Sequence, residues 1–321
     1  MAGLARRLGR DPLQRLRSIT DCSVWDSTRR PDREALRAAL VGQDALLCVL
    51  TDQIDAAVME TARGLRVISS ISVGVDHIDL DAATQRGIIV TNTPGVLVET
   101  TAELAIALLL TVTRRVVEAD ADVRRGHWTP EARWQIDGYL GKDLAGSTLG
   151  LVGLGAIGQA VAARAQAFGL RVLGWSRSGR KVPGVERVSL DRVLAEADFV
   201  SLHLASTDET RGLMDASALQ SMKPGAILIN TARGDLVDEL ALVDALSAGH
   251  LSGAGLDVFA QEPLSQGHPL LTLPSVVLTP HIGSATEGTR IRMVDLAVAN
   301  LEAALSGQNP LHCANPDVFS R

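Results

Sequence analysis

The chain has 321 residues, 46% of them hydrophobic, with 31 basic and 37 acidic side chains and a formal net charge of -6. That length can bury a sizeable core and suits two domains better than one; the mild negative charge gives no reason to expect nucleic acid or an anionic membrane as a partner. Cys22, Cys48 and Cys313 are far apart and form no CxxC pair, which argues against a disulfide framework or a zinc site and for a reducing compartment.

The first residues are rich in arginine (Arg6, Arg7, Arg10, Arg15 and Arg17, against Asp11 alone), a composition shared with organelle transit segments. Arginine outnumbers lysine along the whole chain, however, so a first surface helix, Pro12 to Arg17, in a cytoplasmic protein is the better reading. From about residue 45, short apolar runs alternate with helical patterns. Strands are predicted at Ala45 to Leu50, Leu65 to Ile71 and Ile88 to Thr91, with helices at Arg33 to Leu40, Asp55 to Arg63 and Asp81 to Arg86. Continuous apolar strands separated by helices indicate a parallel sheet covered on both faces.

Pro94-Gly95 breaks this pattern, and a long helix is predicted from Thr101 to about Arg125, opened by a Thr100/Glu103 capping box. Its first three turns are apolar on nearly every side, so it is expected to be buried between domains or against another subunit. The longest apolar run, Leu104 to Val112, is roughly half of what a bilayer requires. Residues Gly126 to Gly146, with Trp128, Trp134 and Tyr139, read as an irregular connecting arm. Six further strands follow, at Thr148 to Val152, Arg171 to Trp175, Phe199 to Leu204, Ala226 to Ile229, Gly255 to Val258 and Val276 to Leu278. They match a doubly wound nucleotide-binding sheet. A last helix, Gly288 to Leu305, is free to return to the first domain.

Gly153-Leu154-Gly155-Ala156-Ile157-Gly158 sits between the first of these strands and a helix that runs to Phe168. In that context Gly153 makes the tight turn, Gly155 admits a pyrophosphate, and Gly158 lets helix and strand pack closely, with the amides at Ala156 and Ile157 opening the helix toward the phosphates. The next strand ends in Ser176-Arg177-Ser178-Gly179-Arg180, without the carboxylate that would hold a ribose 2′-hydroxyl. A hydroxyl and two arginines suit a 2′-phosphate, so NADP is the preferred cofactor and NAD the alternative.

Hydride transfer from a nicotinamide to a carbonyl takes a cation to polarise that carbonyl, a general acid for the forming alkoxide, and a group that tunes that acid. Candidates lie at three strand ends: Arg233 in Asn230-Thr231-Ala232-Arg233-Gly234, Glu262 beyond Gly255-Leu256-Asp257-Val258-Phe259-Ala260-Gln261, and His281 in Thr279-Pro280-His281-Ile282-Gly283-Ser284. Singly, an arginine after a strand is usually a surface charge, a loop histidine is usually structural, and Glu262 before Pro263 reads as a plain turn cap. Together, in this order behind the glycine loop, they carry the functional reading. His203, at another strand end, is read equally well as structural or as a cofactor contact.

These blocks, with Ser72-Val73-Gly74-Val75-Asp76-His77, Thr91-Asn92-Thr93-Pro94-Gly95-Val96 and Thr101-Ala102-Glu103-Leu104-Ala105, resemble the D-isomer-specific 2-hydroxyacid dehydrogenases over nearly the whole chain. Within that family the glyoxylate/hydroxypyruvate reductases are the most similar. The resemblance implies an α/β fold of two doubly wound parallel-sheet domains. Residues 1–95 with 286–321 would form a flavodoxin-like substrate domain, and residues 96–285 a Rossmann-type dinucleotide-binding domain with a dimerisation helix and arm. It implies that Arg233 binds the substrate carboxylate and carbonyl, that His281 exchanges the proton, and that Glu262 holds the second imidazole nitrogen, favouring the protonated ring and fixing its tautomer. The backbone of Val73 and Gly74 would take the carboxylate's other side, with Ser284 touching the substrate. Asp257 would lie by the nicotinamide carboxamide, and Thr101, Thr231, His203 and His281 would also meet the cofactor.

Within the family, Glu262 argues against formate dehydrogenases, which carry glutamine there. Ile282-Gly283-Ser284 departs from D-lactate dehydrogenases, and no regulatory domain follows the last helix as in long phosphoglycerate dehydrogenases. Met1 to Ala5 is a poor substitute for the Val/Ile-rich strand that usually opens the family, so either that strand is short or the start lies upstream. The expected activity is reduction of glyoxylate and hydroxypyruvate by a homodimer. The rival readings are another 2-hydroxy acid, phosphite, or a non-enzymatic nicotinamide-sensing corepressor.

Overall fold

The alternation of apolar runs and helices produces two separate parallel sheets in the computed structural model, which describes residues 13–25, 29–131 and 133–320. The arginine-rich start (Arg6, Arg7, Arg10), Pro12 and the opening Met1 to Ala5 lie outside the described residues. The chain divides into two units, Met1–Leu97 with Ala285–Arg321 and Val98–Ser284.

In the first unit, β1 (Ala45–Cys48), β2 (Val67–Ser70) and β3 (Ile89–Thr91) pair in parallel in the order β1-β2-β3 among the described residues. Successive residues of β2 serve opposite faces. Ile68 packs in a cluster with Leu36, Ile54, Val58 and Val90. Val67 packs with Leu13, Leu16, Met293, Val298 and Leu301. Helices α1 (Gln14–Ile19), α2 (Arg33–Ala39), α3 (Ala56–Thr61) and α4 (Leu80–Gln85) precede or join the strands. Asp32, Asp55 and Asp79 set the starts of α2, α3 and α4, each accepting the amide three residues on at 2.9 Å, so that one orphan donor is satisfied at every start.

The second unit begins with a helix that differs from the expectation. Instead of one helix from Thr101 to Arg125, α5 (Val98–Thr113) and α6 (Val116–Arg124) are separated at Arg114-Arg115, where Arg115 takes a left-handed φ of 51°. Thr100 is inside α5 rather than its cap, so the predicted capping box does not form; Glu103 instead pairs with Arg164. The break has a packing cause. The Thr113 carbonyl, which would continue the helix, accepts the Lys142 amide at 3.0 Å as the arm returns. The arm passes so close there that a Cβ on Gly141 would lie 2.2 Å from that oxygen. The apolar face of α5 (Ala105, Leu108, Leu109, Val112) is buried in the core of its own unit beside Leu149, Phe199 and Ile227.

Seven strands, not six, form the sheet of this unit among the described residues: β4 (Thr148–Val152), β5 (Arg171–Trp175), β6 (Glu186–Arg187), β7 (Phe199–Leu202), β8 (Ile227–Asn230), β9 (Gly253–Leu256) and β10 (Val276–Leu278). All pairs are parallel, in the order β10-β9-β8-β7-β4-β5-β6. The strand β6 escaped the sequence because it is two exposed, charged residues at an edge, where no apolar run is needed. From β4 the chain winds outward to β5 and β6, then crosses to β7 on the other side. The carboxyl ends of β4 and β7 therefore frame the switch point at which such sheets take ligands. No helix among the described residues is long and apolar enough to cross a membrane.

In the order of the chain, α7 (Ala156–Ala167), α8 (Leu190–Glu196), α9 (Ala216–Ser221) and α10 (Glu239–Ser247) cover this sheet, and α11 (Glu287–Leu305) packs in the first unit.

Candidate active site

At the switch point β4 passes into the glycine loop and β7 into His203. A Cβ on Gly153, whose φ is +109°, would lie 2.5 Å from the His203 carbonyl oxygen, and one on Gly158 would lie 2.2 Å from the Gly153 oxygen. Strand, loop and helix are thus packed to backbone contact, as expected of both glycines. Gly155, the residue before α7, has open space where its Cβ would be. The first amides of α7, at Ala156 and Ile157, have no side-chain cap from it, which leaves the positive end of the helix dipole toward that space.

His203 is half-buried, its Nε2 2.9 Å from Ser201 Oγ. Burial lowers its pKa to about 4, so the ring is neutral near pH 7. Two further buried hydroxyls among the expected cofactor contacts, Ser176 Oγ and Thr231 Oγ1, have no hydrogen-bond partner among the described residues. Buried polar atoms are rarely left so unless a ligand or water meets them. With the open glycine cradle, these orphans fit a dinucleotide. Ser178 is exposed on the same loop as Ser176, and Arg177 ion-pairs with Glu209 at the surface.

The candidate residues leave the carboxyl ends of the three neighbouring strands β8, β9 and β10, where Asn230 and Leu278 both align with Leu256. After β8, the buried Asn230 shapes the turn that presents Arg233. Its Oδ1 accepts the Ala232 amide at 3.0 Å and its Nδ2 donates to the Arg233 carbonyl at 2.8 Å. The sequence reading gave Asn230 no role, although an asparagine at a strand end that bonds its own turn is a recognisable signal. Gly234 carries no such signal. A Cβ there would lie 1.9 Å from the Phe259 carbonyl carbon, so only glycine lets the Arg233 turn pack against the loop that carries Glu262.

Glu262 does two things at once. Its Oε1 accepts the Phe259 amide at 3.1 Å, the turn-capping role, and its Oε2 lies 2.7 Å from His281 Nδ1. Burial opposes its charge, but the His281 hydrogen bond and charge, the Phe259 amide and the Arg233 cation together hold the carboxyl below the usual glutamate value. Nδ1 is thereby the donor, and Nε2 has no partner among the described residues.

After β9, Asp257 is buried with both oxygens engaged. Thr279 Oγ1 donates to Oδ1 at 2.6 Å, as does the Ile282 amide at 2.8 Å; the Gly283 amide donates to Oδ2 at 2.8 Å. The His281 amide bonds the Asp257 carbonyl at 2.9 Å. Burial raises the Asp257 pKa, and these donors pull it down without cancelling the effect. The carboxylate therefore wraps the loop around itself, and this wrapping accompanies the left-handed φ of 54° at His281. Thr101 on α5 fastens the same loop, Oγ1 donating to the Gly283 carbonyl at 3.1 Å, and Ser284 follows as a buried residue.

Val73 and Gly74 belong to the first unit, on the loop after β2. Thr93 takes the Ser72 carbonyl, Asn92 Nδ2 the Val73 carbonyl at 2.7 Å, and Ser72 Oγ the Gly74 carbonyl at 2.7 Å. The amides of Val73 and Gly74 have no partner among the described residues.

Known proteins resemble this chain over nearly its whole length. Residues 106–283 match the family model "D-isomer specific 2-hydroxyacid dehydrogenase, NAD binding domain". A glyoxylate reductase of Korarchaeum cryptofilum is 45% identical over 98% of this chain and 96% of its own length. A crystal structure from Thermus thermophilus is 52% identical, with a TM-score of 0.89 over 94% of this chain and 96% of that one. The NADPH-dependent glyoxylate/hydroxypyruvate reductase of Sinorhizobium meliloti, solved with NADP and malonate, is 35% identical with a TM-score of 0.86, covering 94% of this chain and 92% of its own. The fold, the glycine loop and the order of the strand-end residues thus have one explanation: the chain belongs to the D-isomer-specific 2-hydroxyacid dehydrogenase family and is a nicotinamide-dependent enzyme that reduces small 2-keto acids.

Proposed function

We propose that this protein reduces glyoxylate and hydroxypyruvate to glycolate and D-glycerate, with Arg233, Glu262 and His281 as its catalytic residues. The observation that carries this reading is the His281–Glu262 pair at 2.7 Å with the Arg233 charge felt at the same carboxylate. Relatives named glyoxylate reductase support the substrate class. The bound dihydronicotinamide supplies the hydride. Arg233 holds the substrate carboxylate and draws electron density toward the carbonyl oxygen, and His281 Nε2 gives its proton to that oxygen as the alkoxide forms. Glu262 keeps Nδ1–H fixed and balances the imidazole charge, and Asp257 and Thr101 hold the loop that carries His281. The second unit acts as the dinucleotide-binding domain, and the first, with Val73 and Gly74, as the substrate domain. Initial rates with each acid and each reduced cofactor test the reading, and silence with all four combinations overturns it.

NADP is the cofactor we assign. The end of β5 offers Ser176, Arg177 and Ser178 and no carboxylate. A guanidinium nitrogen of Arg187 lies 2.9 Å from where a Cβ on Gly179 would be, which adds a second cation at that loop. The Arg177–Glu209 pair is well exposed, and exposed pairs hold weakly enough for a dianionic phosphate to displace the glutamate. The variant Arg177→Asp is expected to shift the NADPH-to-NADH preference ratio toward NADH by about tenfold or more, the equivalent of about 1.4 kcal/mol; an unchanged ratio removes Arg177 from the site.

We further propose a cytoplasmic homodimer joined through α6 and the arm. No residue of α6 is buried, and Trp134 and Ile136 on the arm are 76% and 79% exposed, an apolar display that marks interaction surfaces. Sedimentation equilibrium is expected to give twice the chain mass, and Trp134→Glu with Ile136→Glu to shift the population toward monomer.

A further inference from the structure

The loop that carries Glu262 is held by a second carboxylate–histidine pair that the chemistry above does not use. Glu239, the first residue of α10, accepts the Ala260 amide on Oε1 at 2.7 Å. Its Oε2 lies 3.3 Å from His268 Nε2, and the two side chains are only 13% and 15% exposed. His268 Nδ1 accepts the Leu270 amide at 3.3 Å, so the ring proton sits on Nε2, the nitrogen that faces the Glu239 carboxylate. Two successive amides, Phe259 and Ala260, therefore end on two different carboxylates, Glu262 and Glu239. The 259–260 peptide also lies against Gly234, with no room for a Cβ there.

We propose that Glu239, braced by His268, is a positioning residue that fixes the Phe259–Glu262 segment so that Glu262 Oε2 stays on His281 Nδ1. This rests on the catalytic reading of the His281–Glu262 pair. Without the Glu239 carboxylate the Ala260 amide loses its acceptor, and the simplest relief is rotation of the 259–260 peptide. Glu262, bonded to the amide on that peptide's N-terminal side, moves with it. Glutamine at 239 still offers a carbonyl oxygen to Ala260, but its NH2 meets the donor nitrogen of His268, so it restores the first contact and not the second.

The test reads the imidazole directly in the free protein. The proton on His281 Nδ1 gives a downfield NMR resonance, identified by its loss in His281→Gln, and steady-state rates with glyoxylate are measured beside it. In Glu239→Ala the resonance is expected to shift or broaden, and kcat to fall roughly tenfold, as small misplacements of catalytic groups do, while cofactor Kd is unchanged. Glu239→Gln is expected to recover most of both. His268→Gln, which leaves the Ala260 contact in place, is expected to move the resonance less than Glu239→Ala. A wild-type resonance in both Glu239→Ala and His268→Gln overturns the proposal, and so does equal impairment in Glu239→Gln and Glu239→Ala. A wild-type protein that turns over none of the acids refutes the catalytic reading instead, and the resonance still decides the role of Glu239.

Discussion

Replacing His281 with alanine is expected to lower kcat at least about a hundredfold, the scale of a lost general acid, while the cofactor Kd changes far less, because the glycine loop and the start of α7 hold the pyrophosphate. The ring bonds one side chain, Glu262, through Nδ1, and its loop is held by backbone and by Asp257 rather than by the imidazole. Alanine therefore removes the proton donor and leaves the loop standing. A hundredfold loss corresponds to about 2.7 kcal/mol of transition-state stabilisation, within what one positioned proton donor supplies. The variant also leaves Glu262 without the hydrogen bond and charge that hold its carboxyl low. With only burial against the Phe259 amide and the Arg233 cation, its pKa is expected to rise. Stability that Glu262 contributes above its ordinary pKa is lost, in the wild-type protein, only as pH falls through the lowered folded value. In the variant the folded value moves back toward the ordinary one, so the contribution is smaller and less stability is lost on acidification. Stopped-flow single turnovers, cofactor titration by fluorescence and a pH series of thermal melts read the three effects. Turnover near the wild-type value would remove His281 from the proton transfer.

How much of this was legible in the residues depended on whether the signal was local. The glycine loop, the strand β4 before it and the helix α7 after it were readable because close backbone packing demands glycine at fixed spacing, and the same packing is seen at Gly153 and Gly158. The buried strands were readable because each face carries its own apolar cluster, and boundaries moved by only one or two residues. The long helix was misread because its end is set by Lys142 and Gly141, some thirty residues away, and no pattern within Thr101 to Arg125 announces them. Edge strand β6 was missed because exposure removes the apolar pattern. At the proposed site, Arg233, Glu262 and His281 are nominated by type and order. Asn230, Gly234 and Glu239 are not, since each acts by bonding or making room for a backbone segment that the sequence places far from it or leaves unmarked. Asp257 was read as a cofactor contact; its full set of donors from residues 279–283 is visible only once β9 and β10 are side by side.

Arg233→Lys is the sharper test of the proposed substrate site, because it keeps the charge and removes the geometry. On the proposed role the guanidinium presents two N–H groups in one plane, one toward the substrate carboxylate and one toward the carbonyl oxygen, and an ammonium cannot do both from one position. The turn aims that plane. Asn230 clamps both the Ala232 amide and the Arg233 carbonyl, Arg233 Nη1 donates to the Ala232 carbonyl at 2.8 Å, and Gly234 fixes the turn against Phe259. Lysine inherits the backbone but not the fork. Its charge still reaches Glu262, so the carboxyl is expected to stay below its ordinary value and the His281 pairing to persist. We therefore expect kcat/KM for glyoxylate to fall by roughly a hundredfold to a thousandfold, the scale of a lost charge-stabilising donor. Most of that loss should appear in kcat if the fork acts chiefly on the developing alkoxide, and in KM if it acts chiefly on the carboxylate. Cofactor Kd and the His281 Nδ1 resonance are expected to match the wild type. A drop in kcat/KM below tenfold would mean that charge alone suffices at this position. The polarising role would then pass from the guanidinium fork to the field of any cation held there by the Asn230 turn.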